Sequence, residues 1–168
     1  FRFLRLIEYG RPSEPLHGRV GELAAVTVGH GTVLNSYYNV VSPDHFRFGL
    51  HADAHSPYGG GTFVLNDVVQ PGLVGGRLYV RPAAFADRES WWTRLAIGAT
   101  AMGDISAPFA LQRGSSDRPV VSPRRFPKVE QRKQTWLAGV DAELDVVDSE
   151  GLKLTPYVDF NVHVGLDG

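Results

Sequence analysis

From Phe46 onward the chain alternates apolar and polar residues one by one. Phe46, Phe48, Leu50, Ala52 and Ala54 fall on one side of an extended backbone, and Arg47, Gly49, His51, Asp53 and His55 on the other. Successive strand side chains point to opposite faces, so the pattern predicts a strand with one apolar and one polar wall. Near the C-terminus Leu152, Leu154, Pro156, Val158, Phe160, Val162 and Val164 oppose Lys153, Thr155, Tyr157, Asp159, Asn161 and His163. Val140, Ala142, Leu144 and Val146 alternate with Asp141, Glu143 and Asp145, and Asp148-Ser149-Glu150-Gly151 predicts a tight hairpin between these two strands. Residues 91–104 place Leu95, Ile97, Ala99 and Ala101 opposite Arg94, Ala96, Gly98, Thr100 and Met102, and 76–83 place Leu78 and Val80 opposite Arg77, Tyr79 and Arg81. Residues 61–69 and 19–34 alternate less cleanly, and 1–9 form a doubtful eighth strand. Pro156 lacks a ladder donor, so it calls for an edge, a bulge or a strand end.

The connections between these segments alternate in length. Residues 35–45 and 105–134 are long, 69–75 are of middling length, and 56–60, 85–90 and 148–151 are short. An up-and-down barrel in a membrane sorts its connections in this way, short turns at one end and longer loops at the other. The expected fold is therefore an all-β, antiparallel up-and-down meander forming a transmembrane β-barrel, or a contiguous part of one. It spans 1–168 as a single domain, with 105–134 as a long basic loop.

Composition narrows the function. Seventeen basic and 18 acidic residues leave a net charge of −1, which gives no reason to expect nucleic acid. There is no cysteine, hence no disulfide framework, thiolate metal site or cysteine nucleophile. No stretch approaches the roughly 20 apolar residues of a membrane-spanning helix, a test that barrel strands escape because they alternate. The chain opens on Phe1 with no signal-like segment, which suggests either a removed targeting segment or a start within a longer protein.

Alternation also suits a soluble barrel or sandwich with its apolar face inward, binding a small ligand. Three features favour lipid on the apolar side. The polar faces mix both charge signs with Gly49, Gly98 and Gly139; the apolar faces use Ala where a dry core would want bulk; and Tyr37, Tyr38, Trp91, Trp92 and Trp136 collect near strand ends. In segments 46–56, 77–82, 94–104 and 136–164, with their alternating connections, the chain resembles porin-like outer-membrane β-barrel proteins of Gram-negative bacteria. That resemblance is one of pattern and covers most of the chain. It implies an outer-membrane location, contact with lipid and lipopolysaccharide, and a passive pore or structural barrel that passes small solutes or anions. Such proteins commonly end on an aromatic residue, whereas this chain ends Gly165-Leu166-Asp167-Gly168, which points to a portion of a larger barrel.

The polar walls supply the candidate interior-lining residues: Arg47, His51, Asp53, His55, Arg77, Arg81, Arg94, Asp141, Glu143, Asp145, Lys153, Asp159 and His163. The acidic stripe Asp141, Glu143, Asp145 and the basic pair Arg77, Arg81 are placed to form ion pairs across a narrow interior, or to line a wide one. His51 and His55 stand four residues apart on one strand face, about 13 Å, too far to grip one ion. No metal or other cofactor is expected. Ser36, Ser42 or Ser56 with His30, His45 or His55 would be needed for an outer-membrane hydrolase, but no G-x-S-x-G elbow is present, and enzyme activity is not expected. Gly29-His30-Gly31-Thr32 reads as a bulge or a tightly packed turn. The long loop carries Arg113, Arg118, Arg124, Arg125, Lys128, Arg132 and Lys133 against Asp117 and Glu130. It is a candidate anion-facing surface, toward lipopolysaccharide phosphates or a channel mouth.

Overall fold

The computed structural model describes residues 5–40, 47–86, 91–114, 119–121, 128–149 and 151–164, excepting the side chains of Phe109, Asp148 and Ser149. Eight strands form one antiparallel sheet in the order β1-β2-β5-β6-β7-β8-β9-β12. They are β1 (Leu6–Tyr9), β2 (Leu16–Gly21), β5 (Gly49–Ser56), β6 (Gly59–Leu65), β7 (Leu73–Val80), β8 (Leu95–Leu111), β9 (Val129–Leu144) and β12 (Tyr157–Val164). Every pairing joins strands that follow each other along the chain, with two small hairpins set aside: β3 (Val26–Val28) with β4 (Leu34–Tyr37), and β10 (Val147–Ser149) with β11 (Leu152–Leu154). Among the described residues β1 and β12 do not pair, so the sheet is an open meander.

The register turns local alternation into continuous surfaces. Following partners from strand to strand gives one row of Leu16, Ala54, Gly61, Leu78, Ala99, Val140 and Phe160. The next row holds Tyr9, Gly18, Ala52, Phe63, Gly76, Ala101, Ala138 and Val162. Beyond it come Ile7, Val20, Leu50, Leu65, Val74, Gly103, Trp136 and Val164, and on the other side Ser56, Gly59, Val80, Ile97, Ala142 and Val158. These rows contain no charged residue, and most of their large side chains are exposed: Val158 is 75% accessible, Leu78 74% and Phe160 64%, while Val20, Leu50, Leu65 and Val74 are half-buried.

The opposite face is covered by the chain itself. Residues 22–40, which link β2 to β5, lie across it and carry the β3–β4 hairpin. Leu23, Val26 and Val28 of this segment pack with Val64 of β6 and Met102 of β8 into a small apolar core, flanked by Val33, Leu34, Tyr37 and Leu73. Asn39 ties the segment down at one side: its side chain accepts from Leu23 N and donates to the carbonyls of Gly21, Arg47 and Asn66. At the other side Thr32 donates to Asp159 of β12. One short segment thus touches strands near both edges of the sheet, and the sheet curls around it.

Several boundaries differ from those expected. Residues 19–34 are not one strand: β2 stops at Gly21, and the rest belongs to the inner segment. Residues 91–94 form a 3-10 turn ahead of β8. The segment 152–164 divides at Pro156, which lies between β11 and β12, so the missing donor falls at a strand end. The 148–151 turn closes only the small β10–β11 hairpin, while β9 pairs directly with β12 through Glu143 and Tyr157. The long basic loop is shorter than 105–134. β8 runs to Leu111 and β9 starts at Val129, so much of it is a protruding β-ladder with register shifts near Pro108.

The ends of the sheet are unlike. At one end lie the connections 10–15, 57–58, 81–94 and 145–156, and at the other 22–48, 66–72 and 112–128. The expected sorting of short from long holds for 57–58 against 22–48 and 112–128. It fails for 81–94 and 145–156, which are lengthened by turns and the β10–β11 hairpin. Aromatic side chains cluster at the first end, with Tyr58 against Phe85 and Trp91 against Trp92. Trp136 stands in the outer row nearest the other end. Tyr37, expected among the strand-end aromatics, instead packs against the inner core.

Candidate functional site

The rows between the apolar ones point to the covered face; two of them are polar, and the third mixes polar residues with the core. One of them links His17, Asp53, Thr62, Arg77, Thr100, Gly139 and Asn161 in register across seven strands. A second runs His55, Gly60, Tyr79, Gly98, Asp141 and Asp159, and a third Glu8, Arg19, His51, Val64, Gly75, Met102, Leu137 and His163. His17, His51, Arg77, Thr100 and Asp141 are all buried. Buried polar groups persist only when they satisfy one another, and here they gather into two clusters.

The first cluster centres on Arg77. Its Nε donates to Asp141 Oδ2 at 3.0 Å and its Nη2 to Asp141 Oδ1, a bidentate fork. Glu143 Oε1 lies 3.6 Å from the same guanidinium. Arg77 and Asp141 stand on β7 and β9, with β8 between them. They meet because β8 presents Gly98 at that point: a Cβ there would lie 2.6 Å from Asp141 Oδ2 and 2.8 Å from Arg77 Nε. The turn of the inner hairpin closes over this pair. Gly29 has φ +59°, and a Cβ on it would fall 2.9 Å from Arg77 Cδ. His30 is thereby placed with Nε2 3.1 Å from Glu143 Oε2 and its ring stacked on Tyr157, centroids 4.0 Å apart. That nitrogen is buried and makes no well-directed hydrogen bond, so it lies close to Glu143 without a directed bond to it. Thr32 of the same turn donates to Asp159, which also accepts from Asn161 Nδ2 at 2.8 Å. Toward the end of the sheet, Tyr79 lies beneath the guanidinium groups of Arg77 and Arg81, and its hydroxyl is 3.1 Å from His55 Nδ1. Arg81 pairs with Asp145 at 3.8 Å beside a cavity of about 740 Å3 that Arg94 and Tyr58 also line.

The second cluster lies on β1, β2, β5 and β6. His17 faces Asp53 across the β2–β5 ladder, with Nδ1 3.3 Å from Asp53 Oδ2 and Nε2 3.0 Å from Glu8 Oε1. His51 Nε2 lies 3.1 Å from the same Asp53 oxygen, and Thr62 donates to the other at 2.7 Å. Arg19 donates to Glu8 at 2.7 Å. In the inner segment, burial raises the Tyr37 phenol above its ordinary range, against an opposing pull from nearby Arg47, so that side chain stays neutral.

Of the expected interior residues, His51, Asp53, Arg77, Asp141 and Glu143 belong to these clusters, and Asp159 is tied to the inner turn. His55, Arg81 and Asp145 sit toward one end of the same face, and His163 is exposed on the edge strand. Three lie elsewhere. Lys153 stands exposed on β11, off the main sheet, because the strand expected through 152–164 breaks at Pro156. Arg94 closes the 3-10 turn before β8, and Arg47 precedes β5. The ion pairs expected across the interior form along its wall instead, between strands that flank a glycine. Lys128, Arg132 and Lys133 are exposed, Arg132 donating to the Ser106 carbonyl, while Arg118, Arg124, Arg125, Ser42 and His45 lie outside the described residues. Ser36 donates to Asn35 and Ser56 to the Gly59 carbonyl. Sequence reasoning missed His17 as a partner of Asp53, Glu8 as a partner of His17, and His30 as the lid of Arg77. Only the strand order and the fold-back of 22–40 bring them in. Set against family models, curated proteins and solved structures, the chain finds no match.

Proposed function

We propose that the chain forms the wall of an outer-membrane β-barrel, or a contiguous part of one, and acts as a narrow passive pore or a structural barrel. One observation carries this reading: the sheet is inverted relative to a water-soluble protein. Its uncharged rows carry the exposed large apolar side chains, whereas Arg77, Asp141, His17 and His51 are buried on the opposite face. A soluble barrel would turn Leu78, Val158 and Phe160 inward, because each large apolar side chain gains roughly 1.5–3 kcal/mol on leaving water. Hydrocarbon removes that penalty, and a polar, self-paired interior is what spanning barrels carry. The inner segment fills the cross-section that an open pore would leave to water. Any passage is accordingly for small solutes or ions.

The absence of cysteine permits a direct test. Leu78→Cys and His163→Cys, each labelled with an environment-sensitive dye, are placed in phospholipid vesicles. The Leu78 label is expected to shift blue and to be quenched by spin-labelled acyl chains, and the His163 label to respond to aqueous iodide. A Leu78 label open to iodide and untouched by the lipid quencher overturns the proposal.

A further inference from the structure

We propose that His17, His51 and Asp53 form a site for a divalent transition ion, Zn2+ foremost, on the inner wall between β2 and β5. One donor atom from each residue lies within 4.8 Å of the others. Two imidazoles and a carboxylate are a donor set that zinc takes with bonds of about 2.0–2.1 Å, which puts neighbouring donors of a tetrahedral site roughly 3.3–3.4 Å apart. His17 Nδ1 stands 3.3 Å, and His51 Nε2 3.1 Å, from the same Asp53 oxygen.

The hydrogen bonding around the three residues supplies a second argument. Both ring nitrogens of His51 are buried, yet neither makes a directed hydrogen bond, even though Nε2 is so close to Asp53. A histidine paired to a carboxylate aims its N–H at the oxygen, whereas two ligands of one ion aim at a third point between them. The remaining contacts are those of an outer shell. Glu8 Oε1 lies 3.0 Å from His17 Nε2, fixing that ring with Nδ1 toward Asp53, and Thr62 holds Asp53 Oδ1 so that Oδ2 is left to face the two imidazoles. Arg19, bonded to Glu8, neutralises that carboxylate. Three protein ligands leave one position for water or a solute. The expectation of no metal was drawn from the roughly 13 Å between His51 and His55. The second histidine comes from β2, and only the ladder pairing of His17 with Asp53 reveals it.

The experiment uses the full chain folded in detergent micelles and stripped with a chelator. Titration with Zn2+ is expected to show one equivalent bound, and Co2+ to give the visible bands of a low-symmetry, nitrogen-containing site. His17→Gln and His51→Gln are expected to weaken Zn2+ at least a hundredfold, Glu8→Gln tenfold or more, and His55→Gln and His163→Gln not at all. Heat-modifiable gel migration reports whether each variant has folded. Should His17→Gln not fold, the Co2+ spectrum of the unaltered chain and His51→Gln decide between them. No stoichiometric binding by the folded chain overturns the proposal and leaves a proton-linked His–carboxylate cluster. So does binding that survives His51→Gln or is lost equally in His55→Gln.

Discussion

At the scale of single residues, the bidentate Arg77–Asp141 pair is the most exacting contact, since its side chains are only 9% and 3% exposed. Removing one member of a buried pair strands the other charge, whereas replacing both with apolar groups can be nearly neutral. Asp141→Asn is therefore expected to cost about 3–5 kcal/mol in chemical unfolding from lipid vesicles, and the double change Arg77→Met with Asp141→Leu distinctly less. Equal losses would mean that the pair itself, rather than the uncompensated charge, sets the cost. The opposite face obeys a different rule. Phe160 stands in an uncharged outer row set in from the strand ends, so Phe160→Arg is expected to destabilise by about 2–4 kcal/mol if the row lies near the bilayer midplane. His163→Arg, in an inner row and exposed, is expected to fall well below that. Identical costs in the same unfolding assay would erase the distinction between the faces.

At the scale of elements, the strands were legible and the inner segment was not. Period-two alternation is local, so β5, β7 and the regular part of β8 could be located from their own residues, and even the doubtful first strand proved real over Leu6–Tyr9. The fold-back of 22–40 depends on contacts far along the chain, such as Leu23 on Val64 and Met102, which no local pattern encodes. The same holds for the site. Arg77, Asp141 and Glu143 were visible as stripes, but their meeting required Gly98 on the strand between them, and His17 required the β2–β5 pairing. Gly29-His30-Gly31-Thr32 was legible only as a tight turn, and its role as the cover of the Arg77 cluster came from where that turn lands. These contacts lead to a test of the element itself. Gly29→Val adds a branched side chain at a left-handed backbone position already in contact with Arg77. It is expected to lift the turn off Arg77 and raise single-channel conductance in planar bilayers, while the outer rows, and hence insertion, stay intact. Unchanged conductance in an inserted variant would remove the segment from any conducting path.

At the scale of the whole molecule, charge is balanced overall and uneven in place. Asp141 is engaged by Arg77, which Glu143 also approaches, and Asp145 by Arg81, yet carboxylates outnumber guanidinium groups along the inner wall. The opposite excess gathers in the stretch 113–134, with seven cations against two anions, which leaves the rest of the chain net acidic. It bridges β8 and β9 at the end of the sheet where the 22–48 connection also lies. If the sheet is the wall of a spanning barrel as proposed, the longer connections face outward and this excess belongs to the outer mouth. Ion passage through the refolded chain in planar bilayers is therefore expected to favour anions. The preference should be strong near 0.1 M salt, where charges act over about 10 Å, and weak at 1 M, where they act over about 3 Å. Arg124→Gln, Arg125→Gln and Lys128→Gln together are expected to lower the preference at low salt and flatten its salt dependence. They should leave conductance at high salt unchanged, because screening has already silenced them there. Cation preference that the triple change does not alter would take the basic stretch away from the mouth. It would then be a surface for lipopolysaccharide phosphates, with selectivity set by the interior carboxylates instead.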